Sequence, residues 1–215
     1  MTKNEWTTEE FCNLSGPNIL RLIINEDIRL KILDSITCCM KNHKPMHFTG
    51  GDERLNNAVK NSIVDGEIGE VSKEWLRVPP GNIIKNTIES MLCRYGELNY
   101  NMPCLSTVAD VWYGVMKSGD FHLLHSHHIK TDTAELSGAI YLEVPDNLPD
   151  PQGSITWIMG GAHGMTYNSS WEVSPKSGDV FLWPGWLTHT VYPFRSKQER
   201  IMISFNGQIK RKPNG

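Results

Sequence analysis

Residues 177–189, which read SGDVFLWPGWLTH, decide how the second half of the chain folds. Ser-Gly-Asp is typical of a turn, and the apolar run from Val180 to Trp183 that follows has the length of a strand. Pro184-Gly185 ends this run, and a second strand is expected to begin at Thr188. The stretch therefore predicts two short strands, with His189 just past the turn, where a side chain can point into a cavity.

The same alternation of short runs and turn residues continues through the second half of the chain. The runs are rich in β-branched and aromatic residues, and Gly, Pro, Asn and Asp separate them. Many short strands with such turns between them indicate a β-sandwich or barrel. The predicted strands are 108–116, 136–144, 154–159, 179–183, 188–193 and 200–205.

The first half of the chain has a different period. Apolar residues between Ile24 and Met40 recur at the spacing of an amphipathic helix, and a second helix is expected to begin after residues 79–81 and to run towards Tyr95. Helices of this kind would cover one face of the larger sheet. The 215 residues are expected to form one domain, 1–215, with a helical N-terminal part at 1–105 and a β core at 106–209.

Composition restricts the partners of the protein. A formal net charge of -3 gives no electrostatic case for a nucleic acid partner. No apolar run approaches the length of a membrane span, so no membrane partner is expected. The five cysteines show no CxxC spacing, and the adjacent Cys38 and Cys39 are poorly placed to bridge each other. The simplest interpretation is a protein of the reducing cytoplasm.

Histidines cluster in the second half of the chain. His125 and His127 are two residues apart, so in an extended segment both point to the same side. His189 follows on a later predicted strand, and two close ligands plus a distant one are typical of a catalytic metal site with open positions. His122 and His128 are expected outside the ligand set. The alternative interpretation is a solvated histidine loop and a hydrogen-bonded core histidine at 189.

Arg200 begins a predicted apolar strand that continues through Phe205. Burying a guanidinium in such a strand is costly unless the charge meets an anion. A dicarboxylate co-substrate would supply that anion through a bidentate contact. The alternative is an exposed arginine at a strand end, paired with Glu199 or another acid.

Taken together, these residues resemble the 2-oxoglutarate and Fe(II) dependent oxygenase superfamily, and most of all a small branch found among marine bacteria and phages. The resemblance implies a mainly β fold with some α structure: a double-stranded β-helix (jelly roll) core flanked by N-terminal helices. It implies His125 and His189 as iron ligands, and Arg200 as the partner of the distal carboxylate of 2-oxoglutarate, with Tyr141 as a second contact. The matching pieces are 125–127, 136–142, 177–184, 187–189 and 200–206.

The sequence departs from the superfamily pattern at two positions. The superfamily usually has an acid two residues after the first histidine, whereas this chain has His127, so the site has one negative charge fewer. His127 is predicted as the third ligand, with Asp132 as the alternative and Glu135 as the other nearby acid. Met202 stands where the usual Arg-x-Ser pair has its serine.

The resemblance implies a dioxygenase, a hydroxylase that couples oxidation of its substrate to the decarboxylation of 2-oxoglutarate to succinate and CO2. Its cofactors would be Fe(II) and 2-oxoglutarate, and its partner a small molecule or an amino-acid side chain. Two rival functions are a non-catalytic jelly-roll binding or structural module, and a cupin-type metalloenzyme with three histidines and no 2-oxoglutarate. The combination of Arg200 with His189 favours the oxygenase. The substrate and the oligomeric state are left open.

Overall fold

The computed structural model describes residues 6–13, 17–42, 62–63, 65–127, 135–160 and 169–212. Within these ranges there are two α-helices, α1 (Glu26–Asn42) and α2 (Asn82–Tyr100), and a short 3-10 helix at Trp75–Arg77. The strands are β1 (Trp6–Asn13), β2 (Asn18–Ile24), β3 (Glu67–Glu70), β4 (Cys104–Met116), β5 (His122–His125), β6 (Glu135–Glu143), β7 (Ile155–Ile158), β8 (Ser170–Val173), β9 (Asp179–Pro184), β10 (Thr188–Val191) and β11 (Arg200–Arg211).

The strands form two sheets that pack face to face. The major sheet has the order β1-β2-β9-β6-β11-β4-β3, and the minor sheet has the order β5-β10-β7-β8. Every pair of neighbouring strands is antiparallel. Side chains of both sheets, including Tyr141 and Phe181 of the major sheet and Trp157 and Val191 of the minor sheet, share one buried cluster between them. The fold is the predicted double-stranded β-helix core flanked by helices.

Strand β11 shows why the two faces of the major sheet differ. Successive side chains of a strand point to opposite faces. Arg200 and Met202 are buried on the face towards the minor sheet, whereas Ile203 and Phe205 are buried in a second cluster with the helices. The major sheet is therefore covered on both faces, and its inner face forms one wall of the interior between the sheets.

Helices α1 and α2 lie on the outer face of the major sheet, close to the bounds predicted from their periodicity. The acidic residues Glu26 and Asp27 in the first turn of α1, and Lys41 in its last turn, suit the helix dipole. Helix α2 ends at Asn101, which adopts a left-handed conformation, and its N–H donates to the Glu97 carbonyl oxygen at 2.8 Å. No helix in the described ranges is long and apolar enough to cross a membrane.

The expectation of helix and loop throughout residues 1–105 is wrong in three places. Strands β1 and β2 extend one edge of the major sheet, and β3 lies at the other edge. Strand β2 pairs with β9. Nη2 of Arg21 also donates hydrogen bonds to both carboxylate oxygens of the buried Asp179. Such partners are distant in sequence, and local propensity alone did not reveal these strands.

Candidate active site

Two of the predicted ligand histidines are direct neighbours across the minor sheet. His189 of β10 stands opposite His125 of β5 on one side and opposite Trp157 of β7 on the other. Residues directly opposite each other in an antiparallel sheet point to the same face. His189 is 4% exposed and its ring packs edge-on against Trp183 of the major sheet, with ring centroids 4.9 Å apart. The row therefore faces the interior of the sandwich.

The third histidine joins this row from the segment that follows β5. The backbone N–H of His127 donates to the Gly185 carbonyl oxygen at 2.7 Å, which ties the segment to the turn before β10. Its ring centroid lies 5.3 Å from that of His125 and 5.2 Å from that of His189. One ring nitrogen from each of the three histidines lies within 4.8 Å of the others. The spacing read from the sequence therefore does bring three imidazoles to one point.

Backbone carbonyl groups fix the tautomers of His125 and His189 in the same way. Nδ1 of His125 lies 2.6 Å from the Leu123 carbonyl oxygen, and Nδ1 of His189 lies 2.9 Å from that of Leu187. A carbonyl oxygen only accepts, so Nδ1 carries the proton in both rings. Nε2 is then left with its lone pair, which is the form of imidazole that binds a metal.

Burial keeps these rings neutral at ordinary pH. Burial, followed by the charge of His125, lowers the pKa of His189 to about 2 and that of His127 to about 4. The pKa of His125 is also lowered, chiefly by burial. A metal ion would therefore meet three unprotonated nitrogen donors without displacing protons from them.

Asn206 of β11 is a polar residue of the site that the reading of the sequence did not single out as functional. It is buried, its side chain hydrogen-bonds His127, and its Oδ1 accepts a hydrogen bond from Ser137 at 2.8 Å. It lies six positions after Arg200 on the same strand, so the two-residue period of the strand places both on the inner face. That period, counted from Arg200, is the signal that would have found it.

Arg200 is completely buried, so the alternative of an exposed arginine paired with Glu199 is wrong. Oε1 of Glu199 instead lies 3.7 Å from Nζ of Lys117. The Nη2 group of Arg200 donates to the Gly153 carbonyl oxygen at 2.7 Å, and Nε and Nη1 have no hydrogen-bond partner among the described residues. The guanidinium lies over the ring of Phe194, 5.0 Å from its centroid.

Tyr141 lies beside Arg200 and is equally short of partners. The guanidinium carbon is 5.7 Å from the centroid of the Tyr141 ring, and burial raises the pKa of the phenol to about 12. The hydroxyl group is therefore a donor, and no acceptor for it lies in the described part of the chain. The buried indole nitrogens of Trp157 and Trp183 also lack acceptors there. Each of these unpaired groups can donate, which suits an anionic ligand.

Other candidate residues lie outside this group or outside the described ranges. His122 is not among the three grouped histidines, and its ring centroid is 6.2 Å from that of His125. His128 and the alternative ligand Asp132 fall outside the described residues, as does the side chain of Glu135.

Residues 110–206 match the family model described as "Putative 2OG-Fe(II) oxygenase". The β core of the chain is therefore similar to the 2OG-Fe(II) oxygenase family. The name of this family implies Fe(II) as the metal and 2-oxoglutarate as the co-substrate. The interior fits both groups. Three histidine ring nitrogens lie close enough to bind one metal ion, and the buried donors of Arg200 and Tyr141, which have no partner among the described residues, can bind a dicarboxylate.

Solved structures confirm the fold of this chain. The non-haem carbocyclase SnoK of nogalamycin biosynthesis aligns with a TM-score of 0.61 and 13% identity, over 91% of this chain and 82% of that chain. A prolyl-4-hydroxylase of Pseudomonas putida aligns with a TM-score of 0.56 and 14% identity, over 93% and 95% of the two chains. HygX of Streptomyces hygroscopicus, solved with nickel and 2-oxoglutarate, aligns with a TM-score of 0.55 and 12% identity, over 87% and 82%. No curated protein sequence matches the chain.

Proposed function

We propose that the oxygenase is a hydroxylase that holds Fe(II) with His125, His127 and His189 and holds the distal carboxylate of 2-oxoglutarate with Arg200 and Tyr141. The observation that carries this proposal is the buried guanidinium with two unpaired nitrogens, in the same interior as three converging imidazoles. A three-ligand metal site leaves coordination positions for a co-substrate and for oxygen. When bound, the iron and 2-oxoglutarate supply the oxidising chemistry.

The charge of Arg200 supports a dicarboxylate as the co-substrate. A fully buried guanidinium with no carboxylate partner is costly, and an incoming carboxylate would offset that cost by charge and by paired hydrogen bonds. Nε and Nη1 have no partner among the described residues, so the guanidinium can donate to that carboxylate, and the Tyr141 hydroxyl group can donate a further bond. Phe194 and Met202 line this part of the interior and would keep water away from the pair.

Neither rival function accounts for the buried donors as well. A binding module with a decayed metal site has no reason to keep three histidines on one centre beside an unpaired arginine. A cupin-type enzyme with three histidines would use the metal but would leave Nε and Nη1 of Arg200 without a ligand. Both rivals therefore predict that 2-oxoglutarate does not bind.

The proposed substrate is a small molecule or an amino-acid side chain, and not a nucleic acid. The net charge of -3 supports the exclusion of nucleic acid. We place the protein in the cytoplasm, because the four cysteines whose side chains are described, Cys38, Cys39, Cys93 and Cys104, are all free thiols.

The proposal is tested by incubating the pure protein with Fe(II), ascorbate and 2-oxoglutarate under air and measuring succinate. Wild type is expected to form succinate even without its substrate, slowly, and to stop when 2-oxoglutarate is omitted. His189→Ala is the matched control, and it should form none while circular dichroism shows an intact fold. Succinate formation that persists in His189→Ala would overturn the assignment of the metal site.

A further inference from the structure

Strand β5 carries a β-bulge beside the metal-site histidines. His125 pairs with His189, but the next partner of Val191 is His122, so three steps along β5 match two steps along β10. In a regular strand, residues three apart point to opposite faces. The extra residue cancels that difference, and His122 and His125 both stand opposite inward-facing residues of β10.

The bulge therefore turns a fourth imidazole into the interior. Val191, the cross-strand partner of His122, belongs to the same buried cluster as Phe194, whose ring lies against Arg200. Burial, followed by the charges of His125 and Arg200, lowers the pKa of His122 to about 3, and its ring centroid lies 6.2 Å from that of His125. The ring of His122 has no hydrogen-bond partner among the residues that the structure describes.

Two features limit the hydrogen-bond donors on this side of the interior. One of the two terminal nitrogens is already bonded to the Gly153 carbonyl oxygen. Met202, two residues along the strand on the same face, is apolar and donates nothing. The neutral ring of His122 lies one cross-strand row beyond the metal-site histidines and carries an N–H group that can donate to a ligand.

We propose that His122 is a co-substrate-binding residue, whose ring N–H donates to the distal carboxylate of 2-oxoglutarate beside Arg200. This inference rests on the proposed function, because it needs 2-oxoglutarate to lie between the histidine group and Arg200. In this proposal the bulge has a functional role, because it places His122 on the inner face while His125 stays opposite His189.

The test measures binding to the anaerobic Fe(II) protein by calorimetry. His122→Leu is expected to weaken 2-oxoglutarate by about 10- to 100-fold, the loss of one hydrogen bond to a charged group. Binding of 2-oxobutyrate, which has the metal-chelating end but no distal carboxylate, should change less than twofold, and so should Fe(II) binding. His122→Phe, which keeps a ring but no nitrogen, repeats the measurement in case leucine packs badly, and exposed Leu124→Ala is the control on the same strand.

Each possible outcome of this experiment decides the inference. Unchanged 2-oxoglutarate affinity in both His122 variants overturns it, and so does an equal loss for 2-oxoglutarate and 2-oxobutyrate. An Arg200→Met arm separates this failure from failure of the proposed function. If Arg200→Met weakens 2-oxoglutarate but the His122 variants do not, only the role of His122 is lost. If Arg200→Met also has no effect, the proposed function itself fails.

Discussion

Replacing Arg200 by methionine should separate co-substrate binding from folding. The wild-type guanidinium is fully buried and two of its nitrogens lack partners among the residues that the structure describes, so its charge is uncompensated there. An apolar side chain of similar length removes that burden, and the ligand-free variant should be as stable as wild type or more stable, by up to about 4 kcal/mol. Binding of 2-oxoglutarate should weaken by about 3–5 kcal/mol, which is roughly 10²- to 10⁴-fold in Kd.

Thermal unfolding of the Fe(II) protein under anaerobic conditions measures both effects at once. A ligand at 100 times its Kd stabilises the folded state by about 2.7 kcal/mol. In a chain of this size that should raise the Tm of wild type by about 5–11 °C. The same 2-oxoglutarate concentration should leave the Tm of Arg200→Met nearly unchanged. A ligand-induced shift of equal size in both proteins would refute the reasoning, whatever the Tm of the ligand-free variant.

Three further variants or conditions test the supporting residues. Asn206→Leu, which removes the hydrogen bond to His127, should weaken Fe(II) binding by about 10- to 100-fold in a metal titration, and an unchanged affinity would deny Asn206 that role. Gly153→Ala should weaken 2-oxoglutarate but not Fe(II), because the glycine has a φ of +71° and its new Cβ would overlap Nη2 of Arg200; calorimetry with both ligands checks this. The metal-free protein should lose stability as the pH falls below about 6.5, since the pKa of His189 is about 2 in the folded state and the unfolded chain binds the proton first. Urea unfolding should show a contribution of about 1.4 kcal/mol per pH unit from this ring, absent in His189→Phe.

The sequence predicts six of the eight strands from β4 to β11 because their signals are local, and it misses β5 and β8, which have only four residues each. The apolar run at 179–183 and its flanking turns define β9 almost to the residue, and the i, i+2 spacing places His125 and His127 on one side. The shared centre with His189 follows once the two strands are known to pair. Pairing partners are not local, however, and β2 is missed although its apolar run contains the alternating buried residues Leu20, Leu22 and Ile24.

The finer parts of the site depend on register, which no local pattern contains. One extra residue in β5 decides whether His122 points inward or outward, and the sequence around it reads the same in either case. The burial of Arg200 also depends on the fold, because arginine is mostly exposed in proteins and its position at the start of an apolar run does not reveal burial. The structure, and not the spacing, selects between these alternatives.

The major sheet lies between the two helices and the interior that holds the candidate site. Helices α1 and α2 pack on its outer face, while Arg200 and Asn206 are buried on its inner face, towards the minor sheet. The exposed apolar side chains of Leu123, Leu124 and Trp186 lie instead on β5 and on the turn before β10, next to the metal-site histidines. Changes there leave the two helices untouched, so these three positions can be randomised in a search for new substrates while the proposed iron and co-substrate residues are kept.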